Sequence, residues 1–138
     1  MKKPIRVLLV DDEKGIRFLL SEALLHRGFE VSLASDGQES LEKLQETHFD
    51  LVITDINMPR LDGVSMLKNM HQTGREEKII IMTGNPSDQR LMDKDLPQVV
   101  THLHKPFGIE QFLDVVIAAT NDSKDSSLLN QAHANAYM

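Results

Sequence analysis

The stretch DLVITDINMPRLDG, residues 50–63, runs from an apolar segment straight into a charge. Residues 51–54 have the aliphatic and β-branched side chains of a buried strand, and the carboxylate of Asp55 follows them directly. Asp62-Gly63 then marks a turn that leads into a segment with helical spacing. A strand, a polar loop and a helix in this order form the repeating unit of a parallel α/β sheet.

The same unit recurs on both sides of this stretch. Between the strands lie segments whose apolar residues have helical spacing, as at Ile16, Leu19, Leu20, Ala23 and Leu24. The other four strand segments are residues 5–10, 30–34, 79–82 and 99–103. Strand and helix alternate five times, which predicts an α/β fold with a doubly wound, five-stranded parallel sheet and five helices.

The fourth of these helices is expected within SDQRLMDKDLPQ, residues 87–98. Pro86, followed by Ser87 and Asp88, is typical of a helix start, and Pro97 ends the segment early. Few positions between them are apolar, so we expect a short helix.

The length of the chain predicts one domain with a tail. A chain of 138 residues is long enough for one domain and too short for two ordinary ones. We expect the domain in residues 1–119 and a polar tail in residues 120–138, where the periodicity is lost. Two interpretations of the tail stay open, a frayed end and a short docking helix built on Leu128, Leu129 and Ala132.

Charge and hydropathy exclude several classes of protein. A net charge of −6 argues against a domain that holds nucleic acid by neutralising phosphates. No apolar run approaches the roughly 20 residues that cross a bilayer, and the apolar run near the N-terminus is too short for a signal peptide. We therefore expect a cytoplasmic protein with no membrane partner. Because the chain has no cysteine, disulfides and thiolate metal sites are excluded.

Polar side chains stand at the ends of four predicted strands. Asp11 and Asp12 close the first strand, Asp55 follows the third, Thr83 the fourth and Lys105 the fifth. In an open parallel sheet, ligands bind outside the carboxyl ends of the strands. We therefore expect three carboxylates, a hydroxyl and an amine at one edge of the sheet.

This set of groups suits a hard divalent cation and phosphoryl transfer. Two carboxylates at about 4 Å repel each other by about 4 kcal/mol at an effective dielectric constant near 20, so a cation is expected among them. Oxygen ligands favour Mg²⁺, with Asp12 and Asp55 as direct ligands and Asp11 binding directly or through water. Asp55 is then placed to attack phosphorus, while Lys105 and Thr83 hold the phosphoryl oxygens.

Four motifs identify the chain as similar to a known family. They are VLLVDDE (7–13), LVITDINMPRLDG (51–63), IIIMTG (79–84) and HKPF (104–107). In this order and spacing they resemble the receiver domain of the response regulators of two-component signalling, over residues 4 to about 119. The likeness is to stand-alone, chemotaxis-regulator-like members, and it implies a flavodoxin-like sheet of strand order 2-1-3-4-5.

The resemblance also implies roles for the site residues. Asp55 would accept a phosphoryl group from a sensor histidine kinase or a histidine phosphotransfer protein, with Mg²⁺ or Mn²⁺ as cofactor. Asp11 and Asp12 would form the acidic pocket with Asp55, and the main-chain carbonyl of Asn57 would complete the metal site. Thr83 and Lys105 would bind the phosphoryl group, and the Lys105-Pro106 bond would be cis.

A switch follows from the same likeness. Movement of Thr83 toward the phosphoryl group would let His102, at the family's switch position, turn inward. This would change the face formed by the fourth helix, the fifth strand and the fifth helix, where a downstream protein binds. Such a protein catalyses only its own phosphorylation and dephosphorylation, is not a multiple-turnover enzyme, and is a monomer or weak dimer.

Other functions remain as alternatives. A Mg²⁺-dependent phosphatase resembling the haloacid dehalogenase group also uses an aspartate nucleophile, but it needs a second acid two residues later, where this chain has Asn57. A phosphorylation-independent interaction module would not need the five polar residues. A flavin or nucleotide carrier is disfavoured because acids, and not free backbone amides, follow the first strand.

Overall fold

The computed structural model describes residues 3–121 and forms one parallel sheet flanked by helices on both faces. The strands are β1 (Arg6–Val10), β2 (Glu30–Ala34), β3 (Leu51–Asp55), β4 (Lys78–Thr83) and β5 (Val99–His104). The α-helices are α1 (Lys14–His26), α2 (Gly37–Glu46), α3 (Gly63–Gln72) and α4 (Ile109–Thr120). The strand order is β2-β1-β3-β4-β5, which confirms the predicted α/β fold.

Three strands, β3, β4 and β5, end one residue later than their sequence pattern predicts, and two of these added residues belong to the polar set at the strand ends. Asp55 pairs with Met82 and is the last residue of β3, and Thr83 pairs with His104 and is the last residue of β4. Both polar residues extend the strands because their main-chain groups continue the ladder. Their side chains therefore have positions fixed by the sheet, whereas Lys105 follows β5 as predicted.

The two faces of the sheet bury separate apolar clusters. Because alternate side chains of a strand point to opposite faces, Val7 and Leu9 contact one cluster and Leu8 and Val10 the other. The first is completed by α1 and α4 through Leu20, Leu24, Phe112 and Val116, the second by α2 and α3 through Leu44, Met66, Leu67 and Met70. The strands are thus buried on both faces, as parallel strands usually are.

The predicted fourth helix is not an α-helix. Its segment contains only a single 3₁₀ turn, Gln89–Met92. The side chain of Asp88 accepts a hydrogen bond from Arg90 N, and that of Asp93 accepts one from Asp95 N. These short local bonds compete with helical hydrogen bonds, and Pro97 prevents the helix from extending, so one turn is all that forms.

Most of the predicted C-terminal tail lies outside the described residues. This applies to residues 122–138 and so to the two interpretations of the tail, a frayed end and a docking helix on Leu128, Leu129 and Ala132. Within residues 3–121, no helix has the length and apolar character needed to cross a membrane.

Candidate functional site

Three strands bring two carboxylates and one ammonium together at the carboxyl edge of the sheet. Lys105 Nζ lies 3.0 Å from Asp11 Oδ2 and 3.0 Å from Asp55 Oδ2. Asp11 is fully buried, and the side chain of Asp55 is only 12% exposed. Lys105, which is 94 positions after Asp11 and 50 positions after Asp55, therefore joins the two carboxylates where little of either is exposed to solvent.

Each carboxylate is oriented by a backbone amide. Ile56 N donates to Asp55 Oδ1 at 2.7 Å, and Glu13 N donates to Asp11 Oδ1 at 2.8 Å. Each acid thus receives a backbone donor on one oxygen and Lys105 on the other. This arrangement holds the reactive oxygens in place before any ligand arrives, which is the preorganisation that an electrostatic site requires.

Asp12 completes an acid cluster on the solvent side. One carboxylate oxygen from each of Asp11, Asp12 and Asp55 lies within 4.8 Å of the other two. The three formal negative charges face one lysine, so the cluster keeps a surplus of negative charge. Oxygen ligands at such spacing suit a small hard cation such as Mg²⁺. These three residues would hold the metal, which would neutralise negative charge on a bound phosphoryl group.

Lys105 remains positively charged in this setting. Burial by itself lowers the pKa of Lys105, but hydrogen bonds from its ammonium to Asp55 and Asp11 outweigh burial and hold the pKa above its ordinary value. The stabilisation from these bonds is complete below the ordinary lysine pKa and is lost as the pH rises through the raised one. The ammonium is therefore available at neutral pH.

Thr83 lies at the end of the neighbouring strand and is nearly buried. Its Oγ1 accepts a hydrogen bond from Asn85 N at 3.0 Å, which leaves the hydroxyl proton free to be donated elsewhere. Its main-chain oxygen accepts from Lys105 N at 2.8 Å, so the two residues are linked through the backbone. His102 is half-buried on β5 opposite Ile81. The Lys105-Pro106 bond is cis, as the resemblance implied.

The loop after Asp55 is fastened to the start of α2. Gly37 N donates to Leu61 O at 2.8 Å, and Arg60 donates two hydrogen bonds, of 2.7 and 3.1 Å, to the buried carboxylate of Asp36. These bonds from Arg60 hold the pKa of Asp36 below its usual value. Asp36 also caps α2 by accepting from Glu39 N. This contact has no signal in the sequence, because no periodicity relates a loop arginine to a distant helix cap.

Arg90 reaches the same loop from the other side. Its Nη2 donates to Asn57 Oδ1 at 2.9 Å, and its guanidinium is paired with Asp88. Hydrogen bonds from Arg90 hold the pKa of Asp88 below its usual value. Lys68 and Asp93 form a further ion pair, 2.9 Å long, between α3 and the segment after the 3₁₀ turn. Arg90 lies in the 3₁₀ turn that replaces the predicted fourth helix, so the sequence pattern gives no signal for its position.

An apolar groove opens beside Lys105. It has a volume of about 530 Å³ and is lined by Ile16, Leu19, Leu20, Lys105, Pro106, Phe107, Gly108 and Ile109. On the same helix α1, three large apolar side chains are exposed: Leu19, which lines the groove (55% exposed), Phe18 (63%) and Leu25 (51%). Side chains of this size are usually buried, so α1 offers apolar surface in addition to the groove, and the groove itself reaches the site at Lys105.

Comparisons with known proteins agree with this geometry. Residues 7–117 match the family described as the response regulator receiver domain. The response regulator MprA of Mycolicibacterium vanbaalenii is 35% identical over 111 residues, which are 80% of this chain and 48% of that protein. The chain thus spans about half the length of the MprA relatives that it matches.

Two further relatives match nearly over their full length. Sporulation initiation phosphotransferase F of Bacillus subtilis is 32% identical over 111 residues, 80% of this chain and 90% of that protein. The solved structure of the response regulator protein TrrA from Thermotoga maritima, in complex with Mg²⁺-BeF, has a TM-score of 0.71 and 31% identity and covers 83% of this chain and 98% of its own. Because the family match runs from β1 into α4 and includes the whole acid cluster, this chain belongs to the family of response regulator receiver domains.

Proposed function

We propose that this chain is a phosphorylation-dependent signalling switch that accepts a phosphoryl group on Asp55. The observation that carries the proposal is the single ammonium of Lys105 held between the carboxylates of Asp11 and Asp55, with Asp12 beside them. A nucleophilic carboxylate, a metal-binding acid pair and a fixed cation are the parts that phosphoryl transfer needs.

The transfer step uses the chain's own residues. A carboxylate oxygen of Asp55 attacks the phosphorus of a phosphohistidine in a sensor histidine kinase or a histidine phosphotransfer protein. The P–N bond breaks, and its electron pair returns to the imidazole, which takes a proton from solvent. Lys105 and the Thr83 hydroxyl stabilise the charge that develops on the phosphoryl oxygens. Mg²⁺, held by Asp11, Asp12, Asp55 and the main-chain carbonyl of Asn57, supplies further neutralisation when bound.

The comparisons support this assignment at the level of the family. TrrA was solved with Mg²⁺-BeF, and beryllium fluoride carries fluorines where a phosphoryl group carries oxygens. Another relative is itself called a phosphotransferase. A haloacid-dehalogenase-like phosphatase is not favoured, because position 57 offers an amide bonded to Arg90 where that mechanism needs an acid. Chemistry confined to Asp55 makes this chain a switch and not a multiple-turnover enzyme.

The phosphoryl donor docks, in this proposal, on the apolar groove between α1 and the loop after β5. The groove is contiguous with the site through Lys105, so a helix seated on Ile16 and Leu19 would bring a histidine side chain toward Asp55. Leu19→Asp should therefore weaken phosphorylation by the protein donor while leaving phosphorylation by acetyl phosphate unchanged. Equal loss with both donors would exclude docking on this groove.

The output is read on the face made by the 3₁₀ turn, β5 and α4. If the Thr83 hydroxyl turns toward a phosphoryl oxygen, it leaves Asn85 N, and the space it vacates admits the half-buried His102. The downstream protein would then distinguish the two positions of His102. Equal affinity of a captured partner for phosphorylated and unphosphorylated wild type, with His102→Ala behaving identically, would contradict this part of the proposal.

A mass measurement tests the central step. Wild type, Asp55→Asn and Asp50→Asn are incubated with acetyl phosphate with and without Mg²⁺. Asp50→Asn is the matched control, because Asp50 precedes the same strand at the opposite edge of the sheet. We expect a metal-dependent phosphate adduct on wild type and on Asp50→Asn, and none on Asp55→Asn. An equal adduct on Asp55→Asn, or none on wild type, would exclude Asp55 as the acceptor.

A further inference from the structure

Arg90 makes the polar contact between the 3₁₀ segment and the residue two positions after Asp55. Its Nη2 lies 2.9 Å from Asn57 Oδ1, and the same nitrogen is 2.7 Å from Asp88 Oδ2. Its Nη1 is 3.9 Å from Asp62 Oδ2, at the cap of α3. Arg90 is thus held by acids on two sides while it donates to the amide oxygen of Asn57.

Asn57 lies where water reaches the site. It is exposed and follows Asp55 by two residues, whereas the side chain of Asp55 is 12% exposed. An amide oxygen accepts hydrogen bonds from water, and an oriented water is the nucleophile that hydrolyses a phosphoryl group. The Arg90 guanidinium occupies this oxygen in the structure.

The same segment has a second polar tether that does not involve Asn57. Lys68 Nζ on α3 lies 2.9 Å from Asp93 Oδ2, one residue after the 3₁₀ turn. Both ion-paired cations are partly exposed, 40% for the Lys68 side chain and 44% for that of Arg90. Exposed pairs of this kind contribute little to stability. The two tethers therefore differ chiefly in whether they touch the loop after Asp55.

We propose that Arg90 is a positioning residue that prolongs the life of the phosphoryl group on Asp55 by occupying Asn57 Oδ1. This inference rests on the proposed phosphorylation of Asp55. With Arg90 in place, the guanidinium takes one of the two lone pairs of that oxygen and competes with the attacking water for it. When Arg90 leaves, the amide oxygen accepts from water and hydrolysis becomes faster.

Hydrolysis transfers the phosphoryl group from Asp55 to water. The oxygen of water bonds to phosphorus as the bond between phosphorus and the Asp55 oxygen breaks. The electron pair of the broken bond returns to Asp55, which becomes a carboxylate again. One proton of the water stays on the new P–OH group and the other goes to a phosphoryl oxygen, so the product is dihydrogen phosphate. Arg90 itself gains and loses no proton.

The test measures decay separately from formation. Wild type, Arg90→Met, Arg90→Lys, Lys68→Met, Asn57→Ala and the double variant Arg90→Met/Asn57→Ala are phosphorylated with acetyl phosphate and Mg²⁺. The donor is removed by rapid desalting, and the loss of the phosphate adduct is followed by intact mass. Arg90→Met keeps the length of the side chain but removes its donors, and Lys68→Met removes the tether that does not touch Asn57.

We expect Arg90→Met to lose its adduct about threefold to tenfold faster than wild type, as one hydrogen bond to the attacking water would cause. Arg90→Lys should decay at an intermediate rate because lysine can still donate to Asn57 Oδ1. Lys68→Met should decay like wild type, and the double variant should decay like Asn57→Ala alone.

Other outcomes overturn the inference. Decay of Arg90→Met at or below the wild-type rate would show that Arg90 does not protect the phosphoryl group. Equal acceleration in Lys68→Met would show that loosening of the segment, and not release of Asn57, is responsible. Acceleration by Arg90→Met in the Asn57→Ala background would exclude Asn57 as the link. If wild type forms no adduct at all, the proposed function fails and this inference fails with it.

Discussion

Charged side chains are arranged differently at the two edges of the sheet. At the carboxyl edge, the carboxylates of Asp11, Asp12 and Asp55 lie close together, and those of Asp11 and Asp55 both accept a hydrogen bond from Lys105 Nζ. At the amino edge, Arg75 is paired with Glu77 and also donates to two main-chain oxygens near the end of α2, those of Leu44 and Thr47. There Lys78 Nζ likewise donates to Ala119 O, near the end of α4.

This difference suggests that the charged residues of the amino edge stabilise the fold, whereas those of the carboxyl edge serve the chemistry of the site. Cations at the amino edge close helix ends, where unpaired carbonyls would otherwise remain. At the carboxyl edge, the negative surplus costs stability and creates affinity for a cation. We therefore expect substitutions at the amino edge to change the free energy of unfolding without changing phosphorylation, whereas substitutions at the carboxyl edge should change chemistry or metal binding whether or not they also change stability.

The largest expected effect comes from Lys105→Met. Without the ammonium, charge on the transferring phosphoryl group loses a fixed partner, and the rate of phosphorylation by acetyl phosphate should fall by about 100- to 1,000-fold. Mg²⁺ should bind at least as tightly as to wild type, because the ammonium that pairs with Asp11 and Asp55 no longer competes with the metal. Lys78→Met at the amino edge is the control, and its phosphorylation rate should be unchanged. A comparable fall in both variants would remove the distinction between the edges.

Gly63→Ala should cost about 3 kcal/mol of unfolding free energy and also slow phosphorylation. A Cβ at this position would lie 2.2 Å from Asp55 O, so the strand end that carries the acceptor must shift. At the amino edge, Gly74 has φ of 72° with open space around it, so Gly74→Ala should cost about 1 kcal/mol without touching the site. Urea denaturation and adduct yield measure the two quantities, and unchanged yield in Gly63→Ala would contradict this prediction.

Glu77→Gln tests the amino edge through pH. Burial alone raises the pKa of Glu77, but hydrogen bonds from Arg75 and from main-chain amides outweigh it and leave the pKa below its usual value. The stabilisation is therefore complete above the ordinary glutamate pKa and is lost as the pH falls through the lowered one. We expect the variant to lose about 2 kcal/mol at pH 7 and little at low pH.

Denaturation curves for wild type and Glu77→Gln across the acidic range would check this expectation. The phosphorylation rate at neutral pH serves as the control and should not change. A constant difference in stability at every pH would mean that the charge of Glu77 contributes nothing.

Asp12→Asn should have the smallest effect on stability and the opposite sign. Removing one of three neighbouring negative charges should raise the metal-free unfolding free energy by up to about 1 kcal/mol, since Asp12 is exposed and its repulsion is screened. The rise in Tm that Mg²⁺ causes in wild type should shrink or vanish. Thermal denaturation with and without Mg²⁺ measures both, and an undiminished response to Mg²⁺ would exclude Asp12 as a ligand.

Much of the fold followed from local patterns. The β-branched runs predicted all five strands to within one or two residues at each end, because a buried strand must be apolar along its whole length. The positions of Asp11, Asp55 and Lys105 at strand ends then placed them together, since parallel strands share one carboxyl edge. To expect these three side chains at one edge, it was enough to predict that their strands are parallel.

Among the contacts that the sequence did not predict, three involve arginines outside the predicted strands. Arg60 with Asp36, Arg75 with Glu77 and Arg90 with Asn57 join loops or turns. A long flexible side chain can reach several acids, and its choice depends on the loop conformation, which no periodicity encodes. The predicted fourth α-helix also fails for a local reason. The side chains of Asp88 and Asp93 accept hydrogen bonds from nearby main-chain amides, and these bonds compete with helical ones.

The loop between β3 and α3 is held by two neighbours of unequal stiffness. Toward α2, Gly37 lies so close that a Cβ there would be 2.3 Å from Leu61 O, and the carboxylate of Asp36 is buried beneath Arg60. Toward the 3₁₀ turn, the loop is held by the exposed side chain of Arg90. If Asp55 is phosphorylated, we therefore expect any displacement of this loop to be transmitted more readily to the 3₁₀ turn than to α2.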